Sequence, residues 1–236
     1  MLIDTILFDL DGTLLPMDTD KFIYAYYGLI KEKFKDHNCH EVMKGLEIGI
    51  RAMLSNDGSK TNEKAFWNAF YEVVLPNAKI ETMFEELYEH DFDFLVKFTH
   101  PNPLAKEIIS ILKEKNYRII CATNPLFPRI ATQKRIKWAG LDINDFLDVT
   151  TFESSNYAKP SLGYYEEVLN KYNLSPSQCL MVGNDLLEDL VISKIGVKTY
   201  LVTDCLVNKD NSSFVPDYTG SFEELLRFVK SLEKVS

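Results

Sequence analysis

A chain of 236 residues, 46% hydrophobic and 26% charged, has apolar material for a sizeable core and fits one large domain or a domain carrying an insert. Its formal net charge of −9 excludes a nucleic-acid polymer as the expected partner, because such binders need a basic surface to displace counterions. No apolar run approaches the roughly 18 residues of a membrane span, no basic apolar leader precedes Asp4, and Cys39, Cys121, Cys179 and Cys205 form no CxxC pair. The expectation is a cytoplasmic protein in a reducing compartment, without membrane attachment or disulfides.

The first predicted strand covers residues 2–8, an apolar run that ends in the turn-forming stretch Asp9 to Thr13. Only helical patterns follow as far as His100: 20–34, 41–54, 63–74 and 80–98, separated by polar connectors at 36–38, 55–59 and 76–77. Beyond them the pattern alternates. A helix over 103–115 places Leu104, Ile108, Ile111 and Leu112 on one face, with Asn102 as cap and Pro103 at the first helical position. Strands follow at 117–122, 147–152, 179–182 and 198–202, each after a segment with helical periodicity, among them helices at 164–172 and 186–195. Ser221 and Glu224 form a capping box that opens the last helix. Strands alternating with helices imply an α/β fold, a Rossmann-like parallel sheet flanked by helices with right-handed crossovers. Its core would be built from 1–15 and 100–236, with 16–99 as a smaller all-helical domain.

Residues just past the carboxyl ends of parallel strands converge on a crevice, the usual ligand site of such folds. Here those positions hold Asp9, Asp11, Gly12 and Thr13 after the first strand, and Thr123 and Asn124 after the second. Lys159 follows the third, and Gly183, Asn184, Asp185 and Asp189 follow the fourth. A carboxylate is a competent nucleophile toward phosphorus and splits a difficult hydrolysis into two displacements through an acyl phosphate. It also repels an anionic phosphate, so a cation must lie between them, and clustered oxygen donors suit Mg²⁺. Two carboxylates in unequal surroundings can divide the work, one attacking while the other donates a proton to the leaving oxygen. Gly12 lets the backbone turn close to a phosphate, Thr123 can donate to a phosphate oxygen, and Lys159 can neutralise developing charge.

The stretches FDLDGTL at 8–14, ATN at 122–124, KP at 159–160 and GNDLLED at 183–189 resemble, in order, the four motifs of the haloacid dehalogenase-like hydrolase superfamily, most of whose members are phosphatases. The helical insert sits where many members carry a mobile cap. The resemblance implies a Mg²⁺-dependent phosphomonoesterase acting on a small phosphorylated metabolite. Asp9 would be the nucleophile, Asp11 the general acid and then base, and Thr123 and Lys159 the phosphate holders, with Gly12, Thr13 and Asn124 in the substrate loop. Asp9, Asp11 through its backbone carbonyl, and Asp185 would hold the metal. The family has an acid directly after the motif's glycine where this chain has Asn184, so Asn184 and Asp189 remain alternatives to Asp185. The presence of Asp11 argues against the dehalogenase branch, which has no phosphate ester's leaving oxygen to protonate.

Blander readings exist for several of these residues. Asp9 and Asp11 could be a solvated turn, Lys159 a surface lysine before a loop proline, Thr123 a strand end, Asn124 a plain turn before Pro125, and Asp189 a helix-face residue paired with a lysine. The aromatics of the insert, among them Phe22, Tyr26, Tyr27, Phe66 and Trp67, are expected mostly in a bundle core. The scattered His37, His40, His90 and His100 make no metal site. A phosphomutase on the same scaffold and a receiver-like phosphoryl-acceptor domain are the alternative functions. The position of the acceptor after the first strand and the long insert count against the receiver.

Overall fold

The computed structural model describes residues 3–209 and 211–235. Among them lies a six-stranded, all-parallel sheet in the order β3-β2-β1-β4-β5-β6. The strands are β1 (Thr5–Phe8), β2 (Arg118–Cys121), β3 (Asp148–Val149), β4 (Cys179–Gly183), β5 (Lys198–Val202) and β6 (Tyr218–Gly220). Residue 2 of the first predicted strand lies outside the described residues. β1 sits between β2 and β4, so the chain switches sides of the sheet at β1 and opens a crevice at the carboxyl ends of these three strands.

The period of two decides which layer each β1 side chain joins. Ile6 and Phe8 are buried with Ile108, Leu112 and Leu225 on one face, while Leu7 packs with Tyr164, Val168 and Ile192 on the other. The helices that cover the sheet are α5 (Leu104–Glu114), α6 (Arg129–Trp138), α7 (Leu162–Lys171) and α8 (Phe222–Ser231). The Ser221–Glu224 capping box forms as expected, each side chain accepting from the other's backbone N–H.

Between β1 and β2 stand α1 (Thr19–Lys33), α2 (Cys39–Leu54), α3 (Asn62–Phe70) and α4 (Ala78–Glu86). The predicted helix over 80–98 changes pitch after α4, with a π-turn at Leu87–Asp91 and a 3₁₀ helix at Phe92–Phe98. The insertion joins the sheet through two adjacent, antiparallel chain crossings: the Asp18 N–H donates to Phe98 O at 3.0 Å and the His100 N–H to Pro16 O at 2.7 Å. Its apolar core, including Phe34, Phe70 and Phe92, is continuous with the sheet face that carries Ile6 and Phe8.

Three departures from the sequence expectation have local causes. α6 is the helical segment expected before the third strand, and the sequence sets no bounds for it because half of its buried face, Ala131, Thr132, Arg135 and Ile136, is polar, which blurs the helical period. The helix expected over 186–195 is a turn followed by a 3₁₀ helix at Leu190–Ile195. Asp185 Oδ1 takes the N–H groups of Leu187 and Glu188, both at 2.8 Å, and Asp189 Oδ2 takes that of Asp185 at 3.0 Å. The strand over 147–152 contracts to β3, since Phe152 and the two residues after it turn away.

Asn62, fully buried at the start of α3, ties the insertion to the sheet. Its amide donates to Pro125 O at 3.2 Å and Tyr157 O at 2.9 Å and accepts from Asn56 at 2.8 Å. Asn62→Ala leaves two buried carbonyls and one amide without this partner. It is expected to cost about 1–3 kcal/mol, read as a lower midpoint in urea unfolding with an unchanged slope.

Candidate active site

Lys159 organises the site. Its side chain is fully buried, and Nζ donates to Asp9 Oδ1 at 2.9 Å and to Asp189 Oδ1 at 2.6 Å. The reading of Lys159 as a surface lysine is thereby overturned, as is that of Asp189 as a helix-face residue, since Asp189 is 1% exposed. Asp9 comes one residue after β1, still held by its N–H to Val182 O at 2.9 Å, and is 8% exposed. Gly183 permits the convergence: a Cβ there would stand 2.1 Å from Asp189 Oδ2.

One ammonium between two buried carboxylates leaves an excess negative charge. Burial pushes the Asp9 carboxyl above its ordinary range against the pull of Lys159, and the charges of Asp189 and Asp11 push the same way. Burial opposes the charge on Lys159, yet Asp189 and Asp9 hold its pKa above the ordinary lysine value, so it stays an ammonium.

Asp11 takes a different partner. Its Oδ2 forms an ion pair with Arg135, a residue of α6 that is 1% exposed. The guanidinium is anchored by Nε to Ala131 O and by Nη2 to the Thr132 hydroxyl, and it lies 4.5 Å from the centre of the Phe127 ring. Burial raises the Asp11 carboxyl despite Arg135 and Lys159, which favours a protonated acid. Asp11 Oδ1 is buried without a hydrogen-bond partner among the described residues, so it can take a proton or a cation.

The other expected residues fall around this pair. Thr123, 2% exposed at the end of β2, has its carbonyl held by the hydroxyls of Thr150 at 2.7 Å and Tyr164 at 3.0 Å. Asn124 fastens the lysine loop, accepting from the Lys159 N–H at 3.2 Å and donating to Glu188 Oε2 at 3.1 Å. Thr13 is fully buried and donates to Asn184 Oδ1 at 2.9 Å, while Asn184 Nδ2 donates to Cys205 O at 2.6 Å. Gly12 has φ +83°, and a Cβ there would meet Asn184 Nδ2 at 2.5 Å, so its first role is to let these two loops touch.

Two residues escaped the sequence reading. Arg135 is one of four cations in α6 and had no periodic signal to single it out. Glu188, inside GNDLLED, is pushed up to about 7, chiefly by burial, with Lys159 opposing. Its place between Asp185 and Asp189 was the available signal. Among the described residues no three His, Cys, Asp or Glu side chains stand close enough to hold a metal by themselves. Mg²⁺ takes only one or two carboxylates and completes its shell with carbonyl, water and phosphate oxygens, so Asp9, Asp185 and the Asp11 backbone carbonyl are donors of the right kind, and the orphaned Asp11 Oδ1 is left to carry a proton.

A parallel α/β sheet with paired aspartates after its central strand, a buried lysine bridging to a further aspartate and a helical insertion defines a class of hydrolases. The chain belongs to the haloacid dehalogenase-like hydrolases, whose family model matches residues 3–190. Pyrophosphatase PpaX of Halalkalibacterium halodurans is 25% identical over 232 residues, covering 97% of this chain and 98% of that protein. Among solved structures, the HAD phosphatase from Thermococcus onnurineus superposes with a TM-score of 0.60 at 20% identity, covering 99% of this chain and 100% of the other. The putative HAD-hydrolase YfnB from Bacillus subtilis, described as bound to magnesium, gives 0.58 at 21% identity, with coverage of 98% and 100%. All four cysteines carry free thiols, and no described helix is long and apolar enough to cross a membrane.

Proposed function

We propose that this hydrolase is a Mg²⁺-dependent phosphomonoesterase acting on a small phosphorylated metabolite in the cytoplasm. The observation that carries the reading is the buried Asp9–Lys159–Asp189 bridge beside Asp11 at the mouth of the sheet. It supplies a carboxylate nucleophile, a fixed cation and a second carboxyl in separate surroundings. The names of PpaX and of the Thermococcus onnurineus phosphatase agree with phosphoryl chemistry, and the YfnB structure is described as bound to magnesium.

In this scheme an Asp9 oxygen attacks phosphorus, the P–O bond to the leaving group breaks, and the leaving oxygen takes its proton from Asp11. Asp11, now a carboxylate, removes a proton from water as that water attacks the aspartyl-phosphate. Inorganic phosphate departs and Asp9 is regenerated. Lys159 and the Thr123 hydroxyl hold the transferring group, and Asn124 keeps the lysine loop in place. Mg²⁺ held by Asp9, Asp11 and Asp185 would screen the carboxylates from the substrate's negative charge.

The insertion of 16–99 serves as a cap over the crevice, pivoting at the paired crossings near residues 17 and 99. The test is phosphate release from p-nitrophenyl phosphate with Mg²⁺ and again with excess chelator. Release is expected with the metal and is expected to vanish with the chelator; chelator-resistant release would remove Mg²⁺ from the reading.

A further inference from the structure

Between the insertion and the loops that follow β2 and β3 lies a cavity of about 380 Å³. Its walls carry eight aromatic side chains: Tyr26, Tyr27, Tyr88 and Phe84 on one side, Phe66 and Trp67 from α3, and Phe127 and Phe152 from the sheet's loops. Every charged residue lining it is a glutamate: Glu63, Glu81, Glu85 and Glu153. These rings pack on their neighbours, Tyr26 on Tyr88 and Phe127, and Phe66 on Trp67, and still leave a ligand-sized space between them.

The four carboxylates are not balanced from within. None has an ion-pair partner among the described residues. Glu153 accepts from the Arg129 N–H at 2.8 and 3.1 Å and Glu81 from the Tyr71 hydroxyl, whereas the side chains of Glu63 and Glu85 have no hydrogen bond in the described structure. Burial raises Glu63, the charges of Glu153 and Glu81 add to that push, and Lys64 outside the cavity opposes it without reversing it, so like charges face one space. Faces of aromatic rings attract cations through their quadrupole, and carboxylates at the rim add a direct Coulomb attraction. An anionic guest would be repelled by the four glutamates, and a neutral one would gain none of the Coulomb attraction.

Phe127 links this space to the reacting groups. It lines the cavity, and on its ring rests the Arg135 guanidinium that pairs with Asp11. The chain from Thr123 and Asn124 to Leu126 and Phe127 therefore walls both the carboxylate site and the cavity.

We infer that the cavity binds an organic cation with an aromatic or bulky apolar body, and that the ester cleaved at Asp9 carries such an ammonium-bearing group on its leaving side. The second half rests on the phosphatase reading; the first does not. Two matched pairs separate them. Tyramine and 4-ethylphenol share an aromatic body and differ in the ammonium, and so do their aryl phosphates, O-phosphotyramine and 4-ethylphenyl phosphate.

Isothermal titration calorimetry is expected to show tyramine binding at least tenfold tighter than 4-ethylphenol, with the preference falling at least threefold in Glu63→Gln/Glu85→Gln. Neither residue touches the reacting groups, and the affinity for the uncharged 4-ethylphenol should stay within twofold of wild type in that variant, which separates loss of charge from loss of the cavity. Equal affinities, or a preference untouched by the double substitution, would overturn the inference. The kcat/KM ratio of the two phosphates is expected to follow the binding preference, and a ratio near one would overturn its second half. Tight tyramine binding with neither ester cleaved by the Mg²⁺-supplied wild type would leave the cavity assignment standing and count against the phosphatase reading.

Discussion

Asp9→Asn is expected to lower phosphate release by on the order of 10⁴–10⁶-fold, because the amide cannot form the acyl phosphate through which the reaction is split. The fold should survive. Asn is close in volume, and Lys159 keeps its 2.6 Å contact to Asp189. The substitution is further expected to stabilise the metal-free protein at neutral pH, and the sign follows from the carboxyl's surroundings. A carboxyl whose folded pKa lies above its unfolded value favours the fold below the unfolded pKa and loses that contribution as pH rises through the folded one. At pH 7 in chelator, the wild type thus carries the cost of burying the Asp9 carboxyl beside Asp189 and Asp11, and the variant does not. Thermal melts of both proteins at pH 7 and pH 4 would show the variant's advantage at neutral pH and its narrowing in acid. Turnover within tenfold of wild type would remove Asp9 as nucleophile, and a variant less stable at pH 7 would mean that the charge on Asp9 is needed to hold Lys159.

Lys159→Met carries the second large effect, and here the structure changes the expectation. From sequence, where Lys159 neutralises developing charge, the loss would fall on transition-state stabilisation more than on folding. A fully buried ammonium between two buried carboxylates makes it fall on both. Removing the cation leaves Asp9 and Asp189 uncompensated in a poor dielectric, and breaking such a pair costs about 3–5 kcal/mol, on the order of 6–20 °C in Tm for a chain of this length. Protonation is the remaining way to relieve two adjacent carboxylates. The deficit relative to wild type should therefore be largest at neutral and alkaline pH and shrink as pH falls through their raised titration range. The double variant Lys159→Met/Asp189→Asn removes one of the orphaned charges and should recover part of the stability without recovering activity. A single variant as stable as wild type would place the ammonium in a far more hydrated site than its burial indicates.

The division of labour between Asp9 and Asp11 illustrates how chain order and tertiary packing share the work. Period two along β1 and a turn at Gly12 suffice to bring both acids to the end of the same strand, and both facts are written locally. Their unequal environments are not. Asp9 meets Lys159 from 150 residues away and Asp11 meets Arg135 from 124 residues away, so which cation serves which acid depends on how the loop after β3 and helix α6 come to rest on the sheet.

Much of the site was legible because its chemistry needs particular residue types at strand ends. FDLDGTL, the threonine of ATN, the lysine of KP and the acids of GNDLLED can be placed by position once alternating strands and helices are recognised. Arg135, and which of the insert's aromatics face the crevice, were not legible, for one shared reason. Both rest on side chains whose local pattern reads as something else: a cation in a basic helix, and aromatics at helical spacing. Sequence by itself determined the parallel α/β class, the insertion after the first strand and the ordered acids, because periodicity and turn chemistry act over a few residues. Tertiary structure alone decided that Lys159 is a buried bridge, that Thr13 and Asn184 hold each other, and that eight aromatic rings enclose a space instead of filling it. Those outcomes depend on distances between segments far apart in the chain, which no local pattern encodes.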